Sequence, residues 1–215
     1  MTGIADSVRL ALSLYSGGED EAALLFASLA VDGTAARVAG RSAGNRARFT
    51  GLIRDNFDIF GPFGVPGIAL ETRFPVAHDG KAEEWDVADL VYKVHRCSHG
   101  HGDELPNGFE LIPDSRSADR ISSLEWNGIT RTVRLSDRVI FGLLAVAVSH
   151  PINADVTTGD IGYLTFGGRV RFEIANVWGR RSFFEAVVAD DPVPSVLLDF
   201  SNHLVTTAES EDVDG

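Results

Sequence analysis

From Asp86 onward the apolar residues Val87, Leu90, Val91 and Val94 fall at i, i+3, i+4 and i+7, the spacing of one face of an α-helix. A stripe of this kind has to be covered by other elements, so the segment commits the chain to a packed helical core. Asp86 is placed to cap the helix, Asp89 adds first-turn negative charge that suits the helix dipole, and Gly100 and Gly102 should end it. The stripe runs directly into His95, Arg96, Cys97, His99 and His101, so half of the chain's six histidines lie at one helix end.

Upstream the pattern is helical throughout. Ala5 to Tyr15 carries Val8, Leu12 and Tyr15 at helical spacing and stops at Gly17-Gly18; Asp20 then opens a second helix toward Gly40, so two antiparallel helices are expected. Asn45 to Phe57 predicts a third, with Phe49, Leu52, Ile53 and Phe57 on one face and a flank of Arg46, Arg48 and Arg54 that reads as solvated surface. Gly61 to Gly80, with Pro62, Pro66 and Pro75, reads as a long excursion with a short strand at Ile68 to Phe74.

Downstream the period changes. Ser123 to Trp126 and Ile129 to Val133 flank Asn127-Gly128, a strong hairpin signal, and a second hairpin is expected from Tyr163 to Val177 around Gly167-Gly168. Between them Ser136 should cap a fifth helix in which Val139, Ile140, Leu143, Leu144 and Ala147 are apolar, closed by Pro151 and buried against the fourth. Val94 and Leu144 should accordingly be buried. The apolar segment Phe183 to Val188 fits either helix or strand. The expected fold class is therefore α+β, an antiparallel helical core with appended β-hairpins, as one domain over residues 1–206 and an acidic, solvated, disordered tail over 207–215 that carries Glu209, Glu211, Asp212 and Asp214.

Composition narrows the function classes. A net charge of -12 argues against a surface that binds nucleic acid as a whole, because phosphate recognition needs clustered Lys and Arg, and leaves only a local basic site. No run of 18 apolar residues and no cleavable leader pattern are seen, so no membrane association is expected and the chain reads as cytoplasmic. Cys97, the only cysteine, agrees with a reducing compartment. No phosphate-cradling glycine loop, glycine-flanked nucleophilic serine or cysteine pair for zinc occurs.

What remains is Arg96, four residues, and His101. A second Arg-x4-His, Arg73 to His78, contains Pro75 and cannot hold both side chains on a helix. The text Val91-Tyr92-Lys93-Val94-His95-Arg96-Cys97-Ser98, then His101-Gly102 with the acidic pair Asp103 and Glu104 and Leu105-Pro106, resembles HEPN domains, many of whose members are metal-independent ribonucleases. The resemblance covers roughly the first 150 residues and is most specific over the 14 from Val91 to Glu104. It implies a HEPN-like helical core and an endoribonuclease of toxin or defence type, with RNA as substrate, no metal or other cofactor, a two-fold homodimer with both motifs facing one cleft, and an antitoxin or other regulatory protein as partner.

The residue types suit that chemistry. Attack of the RNA 2'-hydroxyl on phosphorus needs a group with a pKa near neutrality to move a proton, a role for His101, and a fixed cation on the phosphate, a role for Arg96. Five residues of ideal helix turn through about 140°, so the two would flank a cleft. His95, His99 and Glu104 become substrate-positioning candidates. Other readings stay open: Arg96 suits a helix C-terminus, His101 an ordinary loop and Cys97 a core position. The whole could be a catalytically silent HEPN-like protein-binding or dimerisation module. A transition-metal reading of His95, Cys97, His99 and His101 requires an extended segment, since alternate residues of a helix point to different sides.

Overall fold

The computed structural model describes residues 3–40, 44–78, 81–100, 109–116, 123–127, 132–159 and 161–200, with the side chains of 77, 78, 81, 82, 94–100, 109, 126 and 132 outside that description. The tail at 207–215 also lies outside it.

Helices α1 (Ile4–Gly17) and α2 (Asp20–Ala39) form the expected antiparallel pair. Gly18 makes the reversal: at φ 89° it adopts the left-handed conformation in which its N–H reaches the Tyr15 carbonyl while the Glu19 N–H reaches that of Leu14. The third helix is shorter than its apolar stripe suggests. α3 (Asn45–Asp55) ends at Asn56, whose side-chain amide donates to the Leu52 carbonyl at 2.7 Å, and Phe57 begins a separate helix, α4 (Phe57–Gly64). The expected excursion therefore starts later, since Pro62 lies inside α4.

The expected strand at Ile68 to Phe74 is not formed as such. Strand β1 (Phe74–His78) begins where it was to end and pairs antiparallel with β2 (Lys81–Trp85), Phe74 opposite Trp85. Pro75 is tolerated because this ribbon is only two strands wide and every strand in it is an edge. α5 (Val87–Gly100) follows, starting as expected. The later strands form a three-stranded sheet in which β5 (Thr132–Ser136) lies between β3 (Phe109–Ile112), parallel to it, and β4 (Leu124–Asn127), antiparallel to it. β4 and β5 do pair antiparallel, but Asn127 sits in the ladder opposite Thr132, so the reversal is not a two-residue turn at Asn127-Gly128 and the second strand begins at Thr132 rather than Ile129; β3 has no hairpin signal beside it. The second hairpin is β6 (Tyr163–Phe166) and β7 (Val170–Glu173), and the ambiguous segment 183–188 is part of α7 (Arg181–Asp190).

α6 (Val139–Ser149) is the centre of the molecule: Gly142 through Ser149 are all buried, and Leu143 and Leu144 are fully so. Covering either leucine is worth about 1.5–3 kcal/mol. The helix starts later than Ser136. Arg138 occupies the capping position, and the Ser136 hydroxyl accepts only the Arg138 N–H at 3.3 Å. Nor does α6 pack chiefly on α5. Its principal neighbours are α4 and α2, while α5 packs on α3 and α2. The reason is α2. Its buried residues Ala23, Leu24, Ala27, Ser28, Ala30, Val31, Thr34 and Ala35 span a wide, small-residue face that serves both α5 and α6. By length and hydropathy α2 could cross a membrane, yet this face is spent on the core.

Two devices fix α6 in place. Where it crosses α4, a Cβ on Gly142 would meet the Gly64 Cα at 2.8 Å, so glycine on both helices permits the approach. At its far end buried Asn153 donates to the Ala147 carbonyl (2.8 Å) and to Thr34 Oγ1 (2.9 Å) and accepts from Arg37 (2.9 Å), which also grips Asp155. β6 and β7 close the other side through Phe166 and Phe172, which stack on Phe63 and Phe184 at 4.7 and 5.2 Å between ring centres.

Candidate functional site

α5 is held by its first turn. The Asp86 carboxylate accepts the Asp89 N–H at 2.9 Å, satisfying an amide that the helix cannot, and its own carbonyl receives the Leu90 N–H. The same carboxylate receives Arg54 from α3 through two hydrogen bonds, Nε at 2.7 Å and Nη2 at 3.1 Å. Arg54 Nη2 also bonds Asp89 at 2.6 Å, and Arg46, about two turns earlier on α3, reaches Asp89 at 2.9 Å. The arginine flank of α3, expected as solvated surface, is thus largely an ion-pair clamp on α5. Burial pushes the Asp86 carboxyl upward, but the Arg54 hydrogen bond, the Asp89 amide and the nearby charges of Arg54 and Arg73 outweigh it and hold the group below its ordinary value. Val87, Ala88, Leu90 and Val91 are buried beyond this clamp.

From that anchored start the helix is described as far as Gly100, with Arg96 within it and His95 and His99 close by in sequence. The side chains of Val94, His95, Arg96 and His99 lie outside the described residues, as do His101 and Glu104 entirely. Leu144, the other residue expected to be buried, is fully so. The rival Arg73 to His78 match falls on a loop and β1, not a helix. Among the described residues no three His, Cys, Asp or Glu side chains are grouped as metal ligands would be.

A second polar cluster escaped the sequence reading. The Asp137 carboxylate, fully buried just ahead of α6, accepts the Ser115 N–H at 2.8 Å and the Ser115 hydroxyl, and the Ser115 hydroxyl is also hydrogen-bonded to that of Tyr15 on α1. Arg116 stacks over the Tyr15 ring at 4.9 Å, donates to the Tyr15 carbonyl and pairs with Asp20. Burial raises the Asp137 carboxyl, with the Ser115 hydrogen bonds opposing it, and burial likewise raises the Tyr15 phenol. The cluster ties α1, the turn at 114–116 and α6 together. Its one sequence signal is an aspartate immediately ahead of a wholly apolar helix, where a buried carboxylate meets the positive helix end.

Six of the thirteen arginines whose side chains are described, Arg37, Arg46, Arg54, Arg116, Arg134 and Arg181, each form an ion pair at 3 Å or closer with aspartate or glutamate.

A family model described as Rv1289 matches residues 3–204, from the start of α1 to beyond α7. The uncharacterised protein Rv1289 of Mycobacterium tuberculosis (strain ATCC 25618 / H37Rv) is 34% identical over 205 residues, covering 93% of this chain and 94% of its own length. The uncharacterised protein Mb1320 of Mycobacterium bovis matches to the same extent. No solved structure matches.

Proposed function

The chain belongs to the Rv1289 family, and on its helical framework we propose a HEPN-like, metal-independent endoribonuclease of toxin or defence type, acting in the cytoplasm, with Arg96 and His101 as the reacting pair. The observation that carries this reading is α5: a helix capped and clamped at its start, with Arg96 within its described length and His101 five positions further along the sequence. A motif of this kind needs a rigid helix behind it, because the phosphate and the proton donor must meet within hydrogen-bond reach.

In the reaction the RNA 2'-oxygen attacks phosphorus, the 5'-oxygen leaves, and a 2',3'-cyclic phosphate results. Arg96 holds the phosphate as charge builds, and His101 moves the proton from the attacking or to the leaving oxygen. A two-fold homodimer brings two such pairs to one cleft, with His95, His99 and Glu104 beside the substrate. Purified protein incubated with labelled RNA and a chelator tests the reading. Cutting that persists with chelator and stops when the scissile nucleotide lacks its 2'-hydroxyl supports it; cutting that requires metal, or none at all, overturns it.

A second reading, a catalytically silent HEPN-like module that binds another protein or dimerises, is favoured by the pairing of the described arginines and the net charge of -12. It expects partner capture without RNA cleavage.

A further inference from the structure

After α7 the chain runs from Pro192 to Phe200 as a strap across the loop that precedes β1. The Val196 N–H donates to the Gly67 carbonyl at 2.8 Å, the Ala69 N–H donates to the Val196 carbonyl at 3.0 Å, and the Leu198 N–H donates to Thr72 Oγ1 at 3.2 Å. Ile68 and Val196 thereby form a parallel bridge, and Phe200 ends the strap against Phe74 at 5.5 Å between rings. Bonds from two residues two apart to the same side require extended backbone, in which the intervening residues turn their N–H and C=O groups the opposite way.

That opposite edge is open. Among the described residues nothing bonds the backbone of Ser195 or Leu197. Pro192 and Pro194 have the inward parity of Val196, so the missing donors fall on the inner side and the outward residues Val193, Ser195 and Leu197 keep theirs. The side chains there are apolar and solvated: Val193, Val196 and Leu197 are 40%, 57% and 59% exposed. Edges of this kind are usually blunted by charge or by proline on the outer side, and this one is not.

We propose that this edge takes an extended peptide segment of a protein partner by strand addition, apolar at alternate positions and basic at its ends. Charge selects the occupant. A cavity of about 270 Å³ opens beside Leu197, where among the described lining residues Glu71 and Glu84, with Asp199, stand beside one cation, Arg73, whose guanidinium is turned onto the Leu70 and Thr72 carbonyls. Its volume lies under the usual range of about 300–1,000 Å³ for small-molecule sites and suits one long cationic side chain. A second copy of the strap fits badly, because antiparallel pairing about Ser195 sets Asp191 of one against Asp199 of the other. Main-chain bonds then supply affinity and the acidic cavity supplies selectivity. The inference is independent of the chemistry at α5.

The test uses the full chain and a fluorescently labelled peptide of alternating valine and threonine with lysine at each end. Saturable binding is expected, about tenfold weaker when glutamate replaces the lysines, and lost when the peptide's alternate amides are N-methylated. Ser195→Pro should weaken binding about tenfold, and Glu84→Lys, which leaves the strap intact, should do the same to the lysine peptide. No saturable binding up to about 1 mM overturns the proposal. So does equal affinity for the lysine and glutamate peptides. Hydrogen exchange showing the Ser195 and Leu197 amides as protected as that of Val196 in the free protein also overturns it, since the edge would then be filled by a second copy or by the chain's own tail.

Discussion

Arg54 on α3 and Asp86 at the head of α5 meet through two nearly parallel N–H···O bonds, 2.7 and 3.1 Å long, with the aspartate side chain only 4% exposed and the arginine 36%. The pair joins the helix carrying the candidate motif to the rest of the core at the end opposite the motif. Arg54→Ala leaves a buried, uncompensated carboxylate, a loss of about 3–5 kcal/mol for fully buried pairs; half-exposure of Arg54 brings the expectation to about 2–3 kcal/mol. Arg54→Lys keeps charge without the fork and should fall between. Denaturant midpoints measure both, and equal stability of Arg54→Ala and wild type would show that the clamp contributes nothing.

The two buried aspartates should give opposite pH signatures. Asp86 has a lowered carboxyl pKa, so its contribution is full above the ordinary aspartate value and disappears as pH falls through the folded value. Asp137 has a raised one, so the folded state takes up its proton first and gains stability as pH falls toward the ordinary value. Asp86→Asn should flatten the acid limb of a stability-pH curve, and Asp137→Asn should steepen it. Urea titrations at several pH values, from neutral down to about 2, below the ordinary aspartate value, check the signs.

These relationships mark where the sequence was legible. Helix ends carried by short-range chemistry were readable: Asp86 as a cap and Gly17-Gly18 as a stop both stand. So was the hairpin at Gly167-Gly168, where turn residues announce themselves, and the antiparallel pairing of β4 with β5, though not its register. What depended on distant partners was not. Nothing local to Phe109–Ile112 predicts a parallel strand beside Thr132–Ser136, nothing in α2 says that its small residues separate α5 from α6, and Ser115 reveals its role only when Tyr15 and Asp137 surround it. Of the candidate site, the helix behind Arg96 was legible, while the arginine clamp that anchors it was taken for solvated surface.

Gly142 tests the central crossing. An added methyl would sit 2.8 Å from the Gly64 Cα and 3.0 Å from Phe60 Cδ2, and backbone on that side cannot swing away as a flexible side chain would. Helix propensity favours alanine over glycine by about 1 kcal/mol, whereas overpacking costs about 1–3 kcal/mol or more. Gly142→Ala should therefore destabilise despite its better propensity, with a lowered Tm in calorimetry. A raised Tm would mean that α4 and α6 separate more easily than their packing implies.

His101 and Arg96 separate the nuclease reading from its alternatives because each reading assigns the two substitutions different consequences. If His101 moves a proton in the rate-limiting step, His101→Ala should lower cleavage by about 10²- to 10⁴-fold with stability and RNA affinity nearly unchanged. Arg96→Ala removes a contact to phosphate made in the bound complex and in the transition state, so affinity and turnover should both fall. Lysine at 96 should restore only part, lacking the planar fork. If Arg96 instead satisfies the closing carbonyls of α5, its loss should appear as a lower Tm, and His101→Ala should be silent in every assay. Cleavage rates, RNA binding and thermal melts on the three variants decide between them; wild-type cleavage by His101→Ala ends the assignment of catalysis to this helix end.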